Sequence, residues 1–270
     1  MKIFITGANG FIGGSLAKFY SQYEIFRYAR NSDLESDLKN FAPDVVINSA
    51  AEIYDVDKMW SSNVLLTKTC LDYIKNNPKT TFIHIGSSSE YGPCARATRE
   101  QDPLNPVDMY AGTKGMASLL CQTYANTFHL DVVVVRPYSP YGPGEKSHRL
   151  FPNLWRSFKL NKPMKLVNGV HDFCYIDDFV NAIDLVLSSN NRSPGEVLNV
   201  SSGIQHTNLE VLEIFQKITG QNGNVELVDK FVTPPIWQCD NTAIQLRYGW
   251  RPKFTLEQGV KSFLENANYE

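Results

Sequence analysis

The sequence predicts an α/β fold, a doubly wound parallel sheet with a smaller mixed C-terminal substrate lobe. Three observations carry that expectation. Over roughly the first half of the chain, strand-like apolar runs alternate with helical patterns. The runs are apolar throughout rather than at every second position, as in strands buried on both faces. A glycine-spaced turn joins the first run to the first helix.

Taken in order, KIFIT reads as a strand and IGGSLAKFY as a helix, and EIFRYA with DLESDLKNF repeats the unit. DVVINSA and WSSNVLLTKTCLDYI follow, then TFIHIGS, YAGTKGMASLLCQTYANTF and DVVVVRP. Beyond residue 140 the regularity fades. YGPGEKSHRLFPNLWRSFKLNKPMKL reads as loop and helix, FCYIDDFVNAIDLVLSS as strand and helix, and EVLNVSS as a short strand. A helix (LEVLEIFQKIT), a Pro-containing loop and a last helix (TLEQGVKSFLENA) complete the chain. The expected division is a nucleotide-binding domain over 1–140, with 171–200 returning to it, and a substrate lobe from 141–170 and 201–270. In open α/β sheets ligands bind at the carboxyl ends of the strands, which is where such a lobe sits.

The bulk numbers exclude several classes. The chain has 270 residues, 43% hydrophobic and 20% charged, with a formal net charge of −2. Phosphate-backbone binding needs a clustered basic surplus, so no nucleic-acid partner is expected. No apolar run reaches the length of a membrane span. The start, MKIFITGANG, has too short an apolar stretch for a signal peptide and reads as the first strand. Five cysteines lie scattered without C-x-x-C spacing, which predicts a reducing cytoplasm and no metal site. Cys70, Cys121 and Cys174 lie in apolar runs and read as small core residues.

ITGANGFIGG sets Gly7, Gly10 and Gly13 between a strand and a helix. A diphosphate needs close backbone approach without a Cβ and a helix amino terminus aimed at it. Asn9, Phe11 and Ile12 belong to the same loop, so the first domain reads as a Rossmann unit that binds a dinucleotide. An acidic residue at the tip of the second strand would select NAD; here Ala29 and Arg30 stand there. Arg30 as a clamp for a 2′-phosphate makes NADP(H) the expected cofactor, with NAD(H) possible. Asp33 and Leu34 are expected at the adenine edge, and Ala50 and Ala51 beside the cofactor after the third strand.

MYAGTKG puts Tyr110 and Lys114 four residues apart, on one helix face. Alone this is an ordinary solvated face. Ser87, Ser88 and Ser89, however, end the strand before it, at the crevice edge. A serine hydroxyl there can hold a carbonyl oxygen while the tyrosine exchanges a proton with it. The lysine would hydrogen-bond the nicotinamide ribose and pull down the phenol pKa, which is ordinarily about 10.

Together these residues resemble the extended short-chain dehydrogenase/reductase family of sugar-nucleotide-modifying enzymes. TGANGFIGG, NSAA, SSSEYG, YAGTK, VRPYSPYGPG, HDFCYIDDFVNAI, VLNVSSG and YGWRPKFTLEQGV match in order along nearly the whole chain. The resemblance implies Ser87, Tyr110 and Lys114 as catalytic, with Asn63 propping their helix and a proton relay. Without it, Asn63 reads equally as a polar cap inside a helix. Pro137 and Ser139 would line the nicotinamide and the substrate entrance. A homodimer through the helices of Tyr110 and Asn63 is implied as well.

Departures from the family pattern narrow the activity. Its 4,6-dehydratases carry acids just after the catalytic residue, where this chain has Ser88 and Ser89; Glu90 comes one place too late. Its epimerases usually keep an acid at the second strand's tip. A diphosphate-binding arginine is His171 here and an asparagine is Ser139, so Arg149 or Arg247 is expected to grip the nucleotide half. His148 matches a family acid/base only out of register and otherwise reads as a loop residue. The expectation is a cytoplasmic NADPH-dependent reductase of a keto group, C4, on a nucleotide-linked deoxysugar. The alternatives are an epimerase that retains NAD and, from another class, a non-catalytic dinucleotide sensor. His84, between two isoleucines, reads as a satisfied core histidine; Asp177 and Asp178 as acids opening a helix; Leu154, Trp155, Phe158, Trp237 and Trp250 as packing.

Overall fold

A computed structural model describes residues 1–30, 32–228 and 236–269. Most of the expected Pro-containing loop lies outside them. Along the chain run β1 (Lys2–Thr6), α1 (Phe11–Phe19), β2 (Glu24–Arg27), α2 (Leu34–Phe41) and β3 (Val45–Asn48). α3 (Val56–Met59) passes through a π-helical turn (Trp60–Leu65) into α4 (Leu66–Asn76), where one continuous helix was expected. β4 (Thr81–Ile85), α5 (Met109–Phe128), β5 (Val132–Pro137), β6 (Ser139–Tyr141) and α6 (Leu150–Leu160) come next. The remainder holds β7 (Met164–Val167), β8 (Val170–Tyr175), α7 (Ile176–Ser188), β9 (Glu196–Val200), β10 (Gln205–Thr207), α8 (Asn208–Thr219), β11 (Val225–Val228), α9 (Thr242–Tyr248) and α10 (Leu256–Asn266).

Six parallel strands form the main sheet in the order β2-β1-β3-β4-β5-β9. Successive side chains point to opposite faces. Ile3, Ile5, Ile47, Ile83, Ile85, Val133 and Val135 join the core that includes residues of α1, α7 and the C-terminal helices. Phe4, Val46, Phe82, Val132 and Val134 join the one with α2, α4 and α5. Both faces are dry along β1, β3, β4 and β5, which is why those strands are apolar almost throughout, whereas the edge strand β2 is partly exposed.

Of residues 171–200, expected back in the nucleotide-binding domain, β9 pairs with β5 in the main sheet and α7 packs on α1. β8 does not join: it pairs with β6 and β10 in a separate three-stranded sheet, and β11 pairs with β7 in another. Asp178, in the first turn of α7, accepts from the amides of Lys253 and Phe254 and so anchors the approach to α10. Trp250 is fully buried and donates to the Asp178 carbonyl, while Trp237 leans edge-on against Tyr138. Leu154, Trp155 and Phe158 are buried. No described helix is long and apolar enough to cross a membrane.

Candidate active site

At the end of β1 the chain turns through Gly7, whose φ of +70° suits glycine. A Cβ there would lie 2.7 Å from the Ala50 amide nitrogen; one on Gly13 would lie 2.3 Å from the Gly7 carbonyl oxygen. The Gly10 amide donates to Gly7 O at 2.8 Å, and no side chain caps the amino terminus of α1. The first N–H groups of α1 are therefore left for a ligand. They open on a cavity of about 490 Å³ lined by Gly7, Asn9, Gly10, Phe11, Ile12, Gly13, Ala50 and Ala51. This wall fits a dinucleotide diphosphate: a cradle with no room for a Cβ, backed by a helix amino terminus.

Arg30 also lines the cavity, 61% exposed, and pairs with Glu52 at 3.1 Å. The Glu52 carboxyl is held down to about 2, first by the Tyr54 amide, then by the Asp55 amide, Arg30 and the Ile53 amide, against the opposing effect of burial. Asp33 and Leu34 do not line the cavity. Asp33 caps α2, accepting from the amides of Glu35 and Ser36 and from the Ser36 hydroxyl, while Leu34 is buried in the core beneath. The capping carboxylate is spent largely on its own helix, outside the cavity wall.

At the other end of the cavity α5, capped by Asp108 on the Ala111 amide, carries Tyr110 and Lys114 on one face. Lys114 is 2% exposed and its Nζ donates to the Ile85 carbonyl at 2.5 Å. Burial brings its pKa down to about 8, with Glu90 opposing. The Tyr110 pKa is raised, because burial penalises the phenolate and outweighs the Ser87 hydroxyl beside it. That corrects the expectation that Lys114 pulls the phenol down: desolvation dominates, and the ammonium is turned to a backbone carbonyl. At neutral pH Tyr110 is a phenol with a proton to give.

Ser87 and Ser89 line the cavity, joined Oγ to Oγ at 3.0 Å. Ser88 faces away, into a small recess with Tyr91, Tyr138 and Trp237. Glu90 is completely buried and bound on both oxygens: Oε2 takes Arg136 Nε at 2.7 Å, and Oε1 takes the Ser118 hydroxyl and the Ser87 amide, each at 2.8 Å. It builds the floor rather than facing a ligand.

Asn63 lies behind the cavity wall. Its carboxamide accepts from the Glu52 amide at 2.7 Å and donates to the Glu52 carbonyl and to Thr113 Oγ1, both at 3.0 Å. It thereby ties the loop after β3 to the residue preceding Lys114. Deeper still, His84 Nδ1 meets Asn48 Nδ2 at 3.2 Å, but Nε2 has no partner among the described residues. His84 is thus half satisfied, not satisfied as expected. Burial first, then Lys114 and Arg136, keeps it neutral.

Pro137 and Arg149 line the cavity. Ser139 and His171 do not; the Ser139 hydroxyl meets His171 Nδ1 at 3.2 Å, and burial, then Arg149, lowers His171 to about 4. Arg247 is not at the site. From α9 it bonds the Asn191 carbonyl and Ser193 hydroxyl and pairs with Glu196, at the amino end of β9, whereas the cavity opens at carboxyl ends. His148 Nε2 meets the hydroxyl of Tyr54, a lining residue. Sequence reasoning missed Glu145, a lining residue only 7% exposed, whose Oε1 takes Arg149 Nε at 3.3 Å. A lone acid in a Gly-Pro-Gly loop carries no signal of burial.

The profile described as the NAD dependent epimerase/dehydratase family matches residues 3–201. The chain is similar to GDP-6-deoxy-D-mannose reductase of Pseudomonas aeruginosa, 26% identical over 301 residues that cover 98% of this chain and 96% of the relative. Its fold is shared with dTDP-glucose 4,6-dehydratase of Bacillus anthracis in complex with NAD, with a TM-score of 0.87, 24% identity and coverage of 98% and 96%. RMD of Pseudomonas aeruginosa complexed with NADPH gives a TM-score of 0.85 at 23% identity, with coverage of 98% of both chains. The chain belongs to the NAD dependent epimerase/dehydratase family, as an NAD(P)-dependent enzyme of the extended short-chain dehydrogenase/reductase type.

Proposed function

We propose that the chain is an NADPH-dependent reductase of a keto group, at C4, on a nucleotide-linked deoxysugar. The observation that carries the reading is the buried Tyr110 phenol beside Ser87, its pKa raised by burial, with the neighbouring Glu90 carboxyl engaged on both oxygens. Ser87 and Tyr110 donate to the carbonyl oxygen, and the Tyr110 proton passes to that oxygen as it gains charge. Reduced nicotinamide, when bound, supplies the hydride. Lys114 stands one helical turn on, a cation beside the phenolate left behind until solvent restores its proton. An elimination of water would need an acid or base just after Ser87, where this chain has Ser88 and Ser89 and where Glu90 is engaged on both oxygens. The test is loss of NADPH absorbance with dTDP- and GDP-linked 4-keto-6-deoxyhexoses; no turnover with any of them would sink the reading.

Arg30 supports NADP(H), since its guanidinium borders the cavity and a 2′-phosphate would compete with Glu52 for it. We expect wild type to bind NADPH at least about tenfold tighter than NADH, a difference near 1.4 kcal/mol, and Arg30→Ala to lose the preference in a fluorescence titration. Glu52 favours a second reading, an epimerase that retains NAD, because a carboxylate at that end can accept from a ribose hydroxyl. Cofactor carried through purification, or equal affinity for NADH, would move that reading ahead.

A homodimer through α4, α5 and the π-helical turn belongs to the same reading. Trp60, Leu65, Met116 and Leu119 are exposed on these neighbouring elements, and such a cluster is unusual on a monomer. Leu119→Asp is expected to turn a dimer into a folded monomer in light scattering; a wild-type monomer would refute it. A reducing cytoplasm is part of the reading too, with all five cysteines free.

A further inference from the structure

The cation expected to meet a 2′-phosphate is already engaged. Arg30 donates from Nη2 to Glu52 Oε2 at 3.1 Å and to Ser62 Oγ at 3.3 Å, and its other guanidinium nitrogens have no hydrogen-bond partner among the described residues. The two ends of this ion pair differ. Arg30 is 61% exposed, whereas the Glu52 side chain is 16% exposed and fixed on every side. Glu52 Oε1 accepts from the amides of Ile53, Tyr54 and Asp55 at 3.1, 3.2 and 3.4 Å. Its own amide and carbonyl are both bonded to the Asn63 carboxamide. Arg30, Ser62, Ala51 and Ile53 line the cavity, so the carboxylate stands behind the arginine rather than on the wall. Backbone N–H groups aimed at a carboxylate favour its ionised form, so the anion is held in place at that edge.

We propose that Glu52 is a positioning residue that limits the preference for NADPH, by holding the Arg30 guanidinium back from the 2′-phosphate. The inference rests on the reading of Arg30 as the phosphate clamp. A guanidinium carries a single charge, and a carboxylate in contact with it leaves less attraction for a second anion. A phosphate that takes Nη2 must displace Glu52; one that takes the remaining edge has the carboxylate close behind the arginine. NADH brings a neutral hydroxyl to the same place, so the ion pair costs it little. An acid that tunes cofactor choice ordinarily stands at the tip of the second strand. Here it stands 22 positions beyond Arg30, in the loop after β3, and only the fold brings the two together.

Fluorescence titration of Glu52→Gln with NADPH and NADH is the test, because glutamine keeps an acceptor oxygen for the loop amides and removes the charge. NADPH is expected to bind about three- to fivefold tighter than to wild type, the contribution of an exposed ion pair, with NADH within about twofold. On an Arg30→Ala background the same change should gain less than about twofold, since no guanidinium is left to release. Unchanged or weaker NADPH binding by a folded Glu52→Gln protein overturns the proposal. So does a gain that survives Arg30→Ala, or a loss of NADH affinity alone, which would make Glu52 a ribose ligand. Ser62→Asp leaves the amide contacts of Glu52 intact and sets a second carboxylate beside Arg30. It should weaken NADPH about threefold and NADH by less than about twofold. If Glu52→Gln melts early, Ser62→Asp decides: NADPH binding no weaker than wild type, or both cofactors weakened alike, overturns the proposal. An Arg30→Ala protein that binds NADPH as wild type does ends the NADP(H) reading and this inference together. A preference lost in Arg30→Ala, with no gain in Glu52→Gln, ends this inference alone.

Discussion

Tyr110→Phe is expected to lower kcat by about 10²- to 10⁴-fold, the usual contribution of a positioned acid and equivalent to about 3–5 kcal/mol of barrier. Its affinity for NADPH and its thermal stability should stay near those of wild type. The ring remains, and the lost hydroxyl faces the cavity beside Ser87 rather than the core. The pH profile adds a second check. With the phenol raised above its ordinary value by burial, no loss of kcat from Tyr110 ionisation is expected below pH 10. Lys114, brought down to about 8, sheds its charge first as pH rises, so a fall beginning near pH 8 and absent in Lys114→Met would be its signature. A Tyr110→Phe enzyme within about threefold of wild type, against the loss expected of a general acid, would remove the phenol from the mechanism.

Glu90→Ala should act on the fold instead, at about 3–5 kcal/mol of unfolding free energy, the range for removing one partner of a buried ion pair. Arg136 is only 2% exposed and would keep Tyr91 Oη, at 2.7 Å, as its remaining described partner. The Ser118 hydroxyl and Ser87 amide would lose their acceptor as well. Urea denaturation measures the loss, and joining Glu90→Ala to Arg136→Met should cost less than the sum, because the stranded charge goes too. A stable Glu90→Ala protein lacking only activity would mean that this carboxyl does chemistry.

The main sheet was legible because its central strands β1, β3, β4 and β5 are dry on both faces and each turn writes its requirement into the residue type. Gly7 and Gly13 are glycines because Ala50 and the Gly7 carbonyl occupy the space of a Cβ. The pairing of Tyr110 with Lys114 was legible because helical periodicity alone places i and i+4 on one face. Sequence spacing could not assign β8, which resembles a main-sheet strand in composition but pairs with β6 and β10. Nor does spacing tell which end of the sheet a residue reaches: Arg247 and Arg149 are both arginines of the second half, yet one holds the amino end of β9 and the other lines the cavity.

By itself the sequence determined the alternation of strand and helix, the phosphate-binding turn and the residue types that meet at the carboxyl edge, all consequences of local sterics and periodicity. Only the tertiary structure decided which state those residues hold. The phenol keeps its proton because burial outweighs the hydrogen bond from Ser87, Glu90 is structural because Arg136 and Ser118 occupy it, and Glu145 belongs to the cavity because a loop folds over α1. Desolvation and long-range contact are properties of packed surroundings, and those surroundings come from segments far apart in the chain.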